Sequence, residues 1–477
     1  MPSYSLHYLA TRFATRSYTI SAPNKSHDEQ TLKDDELLDW RNHPALNISI
    51  QFPTWIIPVD GKGIQKLLSE PLLQPYLATR LNVLEHTHQR LKVVQDYYTD
   101  GQNRNTTHKV VLLHPDTPSR EHLPLEMQQM MRDYKVDYPG PLVPVSFNYK
   151  QFTASYVLSK LLPPEAHPPP TSFETIGHVA HLNLRENHLP YKRLIGEVLL
   201  ETLPTIETVI HKVGEVTGPF RTYDFSVLAG RPDTAVKVTE SGIQIHFDVA
   251  EVYWSARLSE ERQRILKYEV KPGDFIADAF CGVGAICLMA AAQLNCTISA
   301  NDWNPKAMEY LKANTVLNGV EENFKKLSCT DAYDFLMDLG LADDKKETRL
   351  PDHVLLNFPL EAPRFLGALR WWPVKSPSNF KRNDKVETHR SPRVHVYTFA
   401  RADPETNRSA EDVAVDLIAS NLLPLGDSTH RKDELDNDYG CKVNVHDVRD
   451  VAPGKVVMCV SFTATPRLLR CMQGDFS

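Results

Sequence analysis

From Leu258 to Pro359 short apolar runs alternate with helical segments: EERQRILKYE, DFIADAF, AICLMAAAQL, TISAND, PKAMEYLKANTVLNG, KKLSCTD, AYDFLMDL and HVLLNFP. Strands that alternate with helices of roughly ten to fifteen residues predict crossover connections, and therefore a parallel sheet wound on both faces. A doubly wound α/β sheet binds its ligand across the carboxyl ends of the strands, where the first strand-to-helix turn comes closest. The chemistry of that turn therefore decides what the domain can hold.

The turn reads DAFCGVG, with Asp278 closing the strand and Gly282 and Gly284 following. Both glycines let backbone approach a ligand that side chains would exclude. A dinucleotide fold asks for GxGxxG, and the third glycine is missing here. A carboxylate beside the loop also suits a cation better than a phosphate. Asp302, closing the second strand, occupies the place of the acid that hydrogen-bonds ribose hydroxyls. A nucleoside that carries a sulfonium and no phosphate meets all three demands, which points to S-adenosylmethionine. GxG by itself also serves to pack a helix on a strand, and the two acids in order are what strengthen the reading. Asn357, Phe358 and Pro359 follow the buried run HVLL. Alone they read as a strand-ending turn; in register with the two acids they offer an amide oxygen and a rigid carbonyl for a planar base edge.

At 477 residues the chain divides into two or three domains. Composition, with 42% hydrophobic and 24% charged residues, is that of a globular protein. No apolar run approaches the roughly eighteen residues of a membrane span. All seven cysteines lie in the second half without a CxxC pair, as buried reduced thiols would, which argues against a zinc site. The net charge of −7 limits any nucleic-acid contact to a local patch. One candidate is residues 370–393, where seven Lys and Arg are interleaved with Trp371, Trp372 and Phe380; an insertion without a role reads equally well. Residues 1–27 contain Arg12, Arg16 and Lys25 and no acid, with many Ser and Thr, the composition of a mitochondrial presequence; an acid-free start without that role is the alternative. Before the alternating region, DEQTLKDDELLDW and LLSEPLLQPYLATRLNVLEHTHQRLKVV read as helical, DYYTDGQNRNTTHKV as a break, and KVVLLH as a strand. LPPEAHPPPTSF is a stiff extended loop. Residues 171–253 form an α+β unit with a helix at YKRLIGEVLLETL and a hairpin turning at Ser241 and Gly242.

GHVAHLNL, YKRLIGEVLL, VIHKVGEVTGPFRTYDFSVLAG, FDVAEVYWSARLSEER, DAFCGVG, ANDWNP and NFP follow one another in this order. Over residues 171–365 the chain resembles the eukaryotic tRNA guanosine-37 N1-methyltransferases, with a weaker likeness in VHVYTFAR and VRDVAPGKVVMCVSF. NFP stands where the family more often has Asn-Leu-Pro or Asn-Pro-Pro. The resemblance implies a Rossmann-like class I methyltransferase domain over 257–477 with an insertion around 370–393. It further implies an α+β tRNA-binding domain over 146–256, preceded by an N-terminal region over 28–145. The implied reaction moves a methyl group from S-adenosylmethionine to N1 of guanosine 37 of tRNA. Guanine N1 is protonated at neutral pH, so methylation there needs a base and a donor for charge growing on O6. Glu261 matches the family's base and Arg221 the residue that steadies the guanine. Alone, Glu261 reads as an acid at a helix start and Arg221 as a surface cation. Arg262, Asp302, Trp303, Asp331, Ala332 and Asn357 match its methyl-donor contacts, joining Asp278, Gly282, Gly284 and Pro359. No metal is required for the methyl step, no membrane partner is expected, and a monomer is expected in the mitochondrial matrix with cytoplasmic and nuclear pools. Two rivals stay open: the related aminocarboxypropyl transferase of wybutosine synthesis, and an inactive RNA-binding relative.

Overall fold

The structure is a computed structural model that describes residues 40–59, 61–88, 91–99, 103–217, 222–341, 349–374, 379–382, 385–388, 391–424 and 431–474. The presequence reading of residues 1–27, the acidic segment before Trp40, and Arg221 lie outside the described residues. The chain forms two compact units. One comprises Met1–Phe173, Leu182–His211 and Val227–Arg231, and the other Glu174–His181, Lys212–Ser226 and Pro232–Ser477.

In the first unit, strand Asn103–Leu112 is the centre of an antiparallel sheet, flanked by Thr54–Pro58 and Val94–Thr99. Trp55, Ile57, Val111 and Leu113 from this layer are buried against Leu67, Met127 and Met131, which come from helices Gly61–Ser69 and Leu125–Asp133. Two sequence expectations are corrected here. The polar stretch around Asn103 is not a break but one arm of a hairpin, because its neighbour Val94–Thr99 supplies the ladder that its own composition does not advertise. The apolar stretch after Ser69 is not one helix: it continues as short 3₁₀ turns at Gln74–Tyr76, Ala78–Arg80 and Asn82–His86. Pro71 and Pro75 deny the backbone donors that a continuous helix needs. Helix Lys192–Thr202 forms as the apolar spacing predicts, burying Leu194, Ile195, Val198 and Leu199.

The second unit is built on one sheet. Its strands are β1 (Phe275–Asp278), β2 (Thr297–Asn301), β3 (Phe324–Ser328), β4 (His353–Leu356), β5 (Arg393–Ala400), β6 (Asn444–Ala452) and β7 (Lys455–Thr463). They run in the order β3-β2-β1-β4-β5-β7-β6, parallel from β3 to β5, with β7 antiparallel to both its neighbours. Every residue of β1 and β4 is buried, as expected of strands covered on both faces. The helices that concern the site are α1 (Ser259–Tyr268), α2 (Ala285–Leu294), α3 (Pro305–Asn318) and α4 (Ala332–Gly340). The chain leaves β1 towards β2 and β3 and then returns to lay β4 on the other side of β1. That reversal makes the β1/β4 boundary the switch point where a ligand crevice forms.

The predicted hairpin is Ala235–Glu240 paired with Ile243–Asp248, with Ser241 and Gly242 both at positive φ, as a two-residue turn requires. It docks on α3 through two asparagines one helical turn apart. Asn314 and Asn318 each donate to and accept from the main chain, at His246 (3.1 and 2.9 Å) and Gln244 (2.7 and 3.0 Å). The basic segment at 370–393 also needs correction: Trp372 is fully buried and donates Nε1–H to the Leu336 carbonyl at 2.7 Å, so it is core rather than a stacking surface. Trp371 is half-exposed, and Asn379–Arg382 pairs with Lys385–Thr388 in a backbone hairpin.

Candidate active site

The loop after β1 is wired to the ends of its neighbours. Asp302, one residue beyond β2, accepts the Gly282 N–H on Oδ2 at 2.9 Å and the Asn304 N–H on Oδ1 at 2.9 Å. Its carboxylate therefore fixes the glycine turn and its own turn at once. Burial pushes the Asp302 acid up, partly countered by those two amides. Gly282 has φ +54° and a Cβ there would meet nothing, whereas Gly284 has φ +90° and a Cβ would lie 2.2 Å from Leu311 Cδ1 of α3. The two glycines thus do different work. Gly282 leaves open space over the strand ends, and Gly284 lets α2 start close against α3.

Asp278 is buried at the end of β1, accepting from the Phe280 amide at 3.1 Å and lying 3.6 Å from the Cys287 thiol. Burial, with the charge of Asp302 nearby, pushes its acid up to about 7. A buried carboxylate without a cation partner among the described residues has a reason to await one. Asp331 caps α4, accepting the Tyr333 amide at 2.7 Å, and Ala332 behind it is buried. Asn357 follows β4, and its side-chain amide makes no hydrogen bond among the described residues. Phe358 stacks on Phe280 with ring centres 5.1 Å apart, so the aromatic in NFP bridges the loops after β4 and β1. The Pro359 carbonyl accepts the Phe399 N–H at 3.1 Å, anchoring the motif to β5. Trp303 is half-exposed beside Asp302.

Glu261 and Arg262, adjacent on α1, face different partners. Arg262 forms a two-pronged pair with Glu240 of the hairpin, at 2.8 and 2.5 Å, and its guanidinium stacks 4.9 Å from the Trp254 ring centre. Glu261 is buried beneath β5 and β7. Arg264 donates to its two oxygens at 2.6 and 2.8 Å and the Tyr397 hydroxyl donates at 2.7 Å. Burial opposes the Arg264 charge, but the bonds and charge of Glu261 hold the guanidinium above its ordinary range. Burial and the Cys459 and Glu261 neighbours keep the Tyr397 phenol well above its usual value.

Several residues of this region were not picked out from sequence. Asn301, fully buried, donates to the Ala279 and Thr330 carbonyls at 3.2 and 3.0 Å and accepts from Thr330, tying the β1 loop to the β3 loop. Asn304 donates to the Glu251 carbonyl at 2.8 Å while capping α3. A row joins half-buried Asp274 to buried His353, His395 and Ser461 at 3.2, 3.1 and 2.8 Å, below the Tyr397 level of the sheet. The alternation of His395 and Tyr397 in VHVYTF was the available signal, since both then point to one face.

Residues 236–371 match the family described as the TRM5/TYW2 methyltransferase domain, and residues 155–234 match the TYW2 N-terminal domain. The tRNA (guanine(37)-N(1))-methyltransferase 2 of Phaeodactylum tricornutum is 56% identical over 452 residues, covering 89% of this chain and 76% of the relative. The tRNA (guanine(37)-N(1))-methyltransferase of Phytophthora infestans is 35% identical, over 78% of this chain and 81% of the relative. The crystal structure of Trm5b from Pyrococcus abyssi shares the fold at a TM-score of 0.55 and 22% identity, covering 87% of this chain and 99% of that one. With a methyltransferase sheet, an acid–glycine–acid cluster at its switch point and relatives of this similarity, the chain belongs to the tRNA (guanine(37)-N(1))-methyltransferase family.

Proposed function

We propose that the protein transfers a methyl group from S-adenosylmethionine to N1 of guanosine 37 in tRNA. The observation that carries this reading is the convergence of Asp278, Gly282, Asp302, Asp331 and Asn357 at the carboxyl ends of β1 to β4, in a chain 56% identical to a relative of that name. The fit to the donor rests on chemistry visible there. Asp278 is a buried acid that a sulfonium would ionise, Gly282 leaves room for a ligand, and Asn357 has an uncommitted amide. Asp302 and Asp331 are the acceptors for the ribose hydroxyls and the adenine amino group, and Trp303 offers an aromatic face. Ala332 and Arg262 complete the donor set by the motif resemblance alone. When bound, the donor supplies an electrophilic methyl carbon.

The protein's own work is on the guanine. Glu261 is assigned the base function for the N1 proton, and Arg221, which lies outside the described residues, the charge growing on O6; both assignments rest on ARLSEER and GPFRTYD. Asn357 lies at the boundary of donor and acceptor. The α+β segment over 146–256 is read as the part that grips tRNA, and nothing in the reaction calls for a second copy of the chain. The acid-free residues 1–27 support a mitochondrial destination. Nucleoside mass spectrometry of guanosine-37 tRNA incubated with protein and donor should find 1-methylguanosine. An aminocarboxypropyl adduct, or unmodified tRNA, would overturn the reading.

A further inference from the structure

On the reading that Glu261 takes the N1 proton, a buried acid must stay ionised until the guanine arrives. Glu261 stands in the first turn of α1 with its side chain 4% exposed. A carboxyl group so far from water favours its protonated form unless a cation and hydrogen bonds compensate the charge. Helical spacing supplies the cation. Arg264 lies three residues on, and side chains of a helix lean towards its N-terminus, so the guanidinium folds back onto Glu261. Its Nε donates to Oε2 at 2.6 Å and a terminal nitrogen to Oε1 at 2.8 Å, the two-pronged geometry of a planar fork on a carboxylate. Arg264 is itself held from its other side. A terminal nitrogen lies 3.9 Å from Glu269 at the end of α1, and Glu269 lies 3.8 Å from Arg393 of β5. Anion and cation thus alternate from Glu261 through Arg264 and Glu269 to Arg393.

The sheet supplies the second hold. Leu356 pairs with Val396, so the residue after β4, Asn357, lies beside Tyr397 in the next step along the strands. The Tyr397 hydroxyl, on a buried ring, donates to Glu261 Oε1 at 2.7 Å. With these three bonds made, about one of the four acceptor sites of an ionised carboxyl group is left to take a proton. Two other titratable groups face Glu261. Cys459 of β7 is a buried thiol pushed up to about 12, and half-exposed His446 of β6 has Nε2 3.5 Å from Oε2. Arg264 is therefore the permanent cation of the group, and Tyr397 its hydroxyl donor.

We propose that Arg264 and Tyr397 are positioning residues for the methyl transfer, which together hold the Glu261 carboxylate ionised and in one orientation. Both act on the guanine only through Glu261. Arg264 sets the charge state of the base and shares with Tyr397 the setting of its angle. The N1–H bond breaks as an O–H bond forms at the acceptor site left on Glu261. The neutral acid stays hydrogen-bonded to both partners and later yields the proton to water. Because Tyr397 belongs to the strand beside Asn357, the hold also ties the base to the strand ends where the donor is placed.

The test follows single-turnover methylation of a guanosine-37 tRNA transcript by the full-length protein from about pH 5.5 to 8.5, with S-adenosylmethionine affinity by calorimetry as the check on folding. Arg264→Gln removes the opposite charge, which shifts a neighbouring carboxyl group by about 1–3 pH units. Its rate profile should move to higher pH by that amount, so the variant is slow by up to about 10²-fold at the acid end and recovers most of the parental rate at the alkaline end. Arg264→Lys keeps the charge without the fork, and Tyr397→Phe keeps the ring without the hydroxyl. Each should slow the reaction about tenfold, the worth of one hydrogen bond to a charged group, with a smaller movement of the profile. A packing role for Arg264 predicts a variant equally slow at every pH, and that result overturns the proposal. A parental rate in either Arg264→Lys or Tyr397→Phe overturns it as well, and these two variants decide the matter where Arg264→Gln loses donor affinity. Glu261→Gln keeps the two levels apart. A parental rate there removes Glu261 as the base and the proposal with it, whereas a slow Glu261→Gln beside an Arg264→Gln of parental profile sinks the proposal alone.

Discussion

On the proposed reading, Asp302 and Asp278 each serve the fold and the ligand together. The Asp302 carboxylate holds two backbone amides, yet each of its oxygens retains a lone pair for a ribose hydroxyl. Asp302→Ala should therefore weaken S-adenosylmethionine binding by about 1–3 kcal/mol, the worth of a charge-assisted hydrogen bond. Calorimetry on the folded variant checks this, and unchanged affinity would remove Asp302 from the donor site. Asp278 makes a pH prediction. Its acid is pushed up to about 7 by burial and by Asp302, and a sulfonium nearby favours the ionised form. Donor affinity should rise about tenfold from pH 6 to pH 8 as the proton leaves. S-adenosylhomocysteine, with no charge on sulfur, should respond much less; equal responses would separate Asp278 from the sulfonium. For stability the sign runs the other way. Between the unfolded acid's pKa of roughly 3.9 and about 7, the folded state binds the proton more tightly. The contribution of Asp278 to stability therefore declines as pH rises through that window.

At the scale of elements, the turn between β1 and α2 was legible in sequence as a glycine turn, but not as two glycines with separate duties. Only the packing of α3 reveals that Gly284 is squeezed by Leu311. Gly284→Ala should destabilise the protein by about 1–3 kcal/mol through overpacking, with a further cost from its left-handed backbone. Gly282→Ala meets no neighbour and should cost about 1–2 kcal/mol, from backbone conformation alone. Its larger effect should be on donor affinity, because its methyl enters the space above the strands. Thermal melts and calorimetry on the two variants check the contrast; equal effects on stability and binding would refute it. The same distinction explains what else was legible. Strands and helices of the sheet follow from apolar period, since that pattern is set by burial on both faces. The 3₁₀ turns after Ser69 and the hairpin at Asn103 do not, because prolines and a neighbouring strand decided them. Trp372 looked like a stacking residue in a basic run because nothing in its local sequence announces that Leu336 lies against it.

At the scale of the whole molecule, the motif order located the strand ends of the proposed site, while long-range partners had to be seen. The placing of Asp278, Asp302, Asp331 and Asn357 was readable because each closes or follows a strand of the same sheet. Tyr397 and His446 were not, because they reach Glu261 across 136 and 185 positions of chain and depend on the register of β5, β7 and β6. Residues 1–27 pose the opposite case, a prediction that depends on composition and on no tertiary contact. Arg12, Arg16 and Lys25 with no acid suit attraction to an import pathway driven by a negative-inside potential. A chain beginning at Asp28, supplied with an initiator methionine, should methylate tRNA at the parental rate in vitro. In cells, the same deletion should lower the mitochondrial fraction and raise the cytosolic one. Fusing residues 1–27 to a fluorescent protein provides the converse measurement, and should carry it into mitochondria. Replacing Arg12, Arg16 and Lys25 with glutamines in that fusion should abolish the import while leaving the length and hydroxyl content unchanged. An undiminished mitochondrial fraction in the deletion, or import of the glutamine fusion, would show that these cations are not an address.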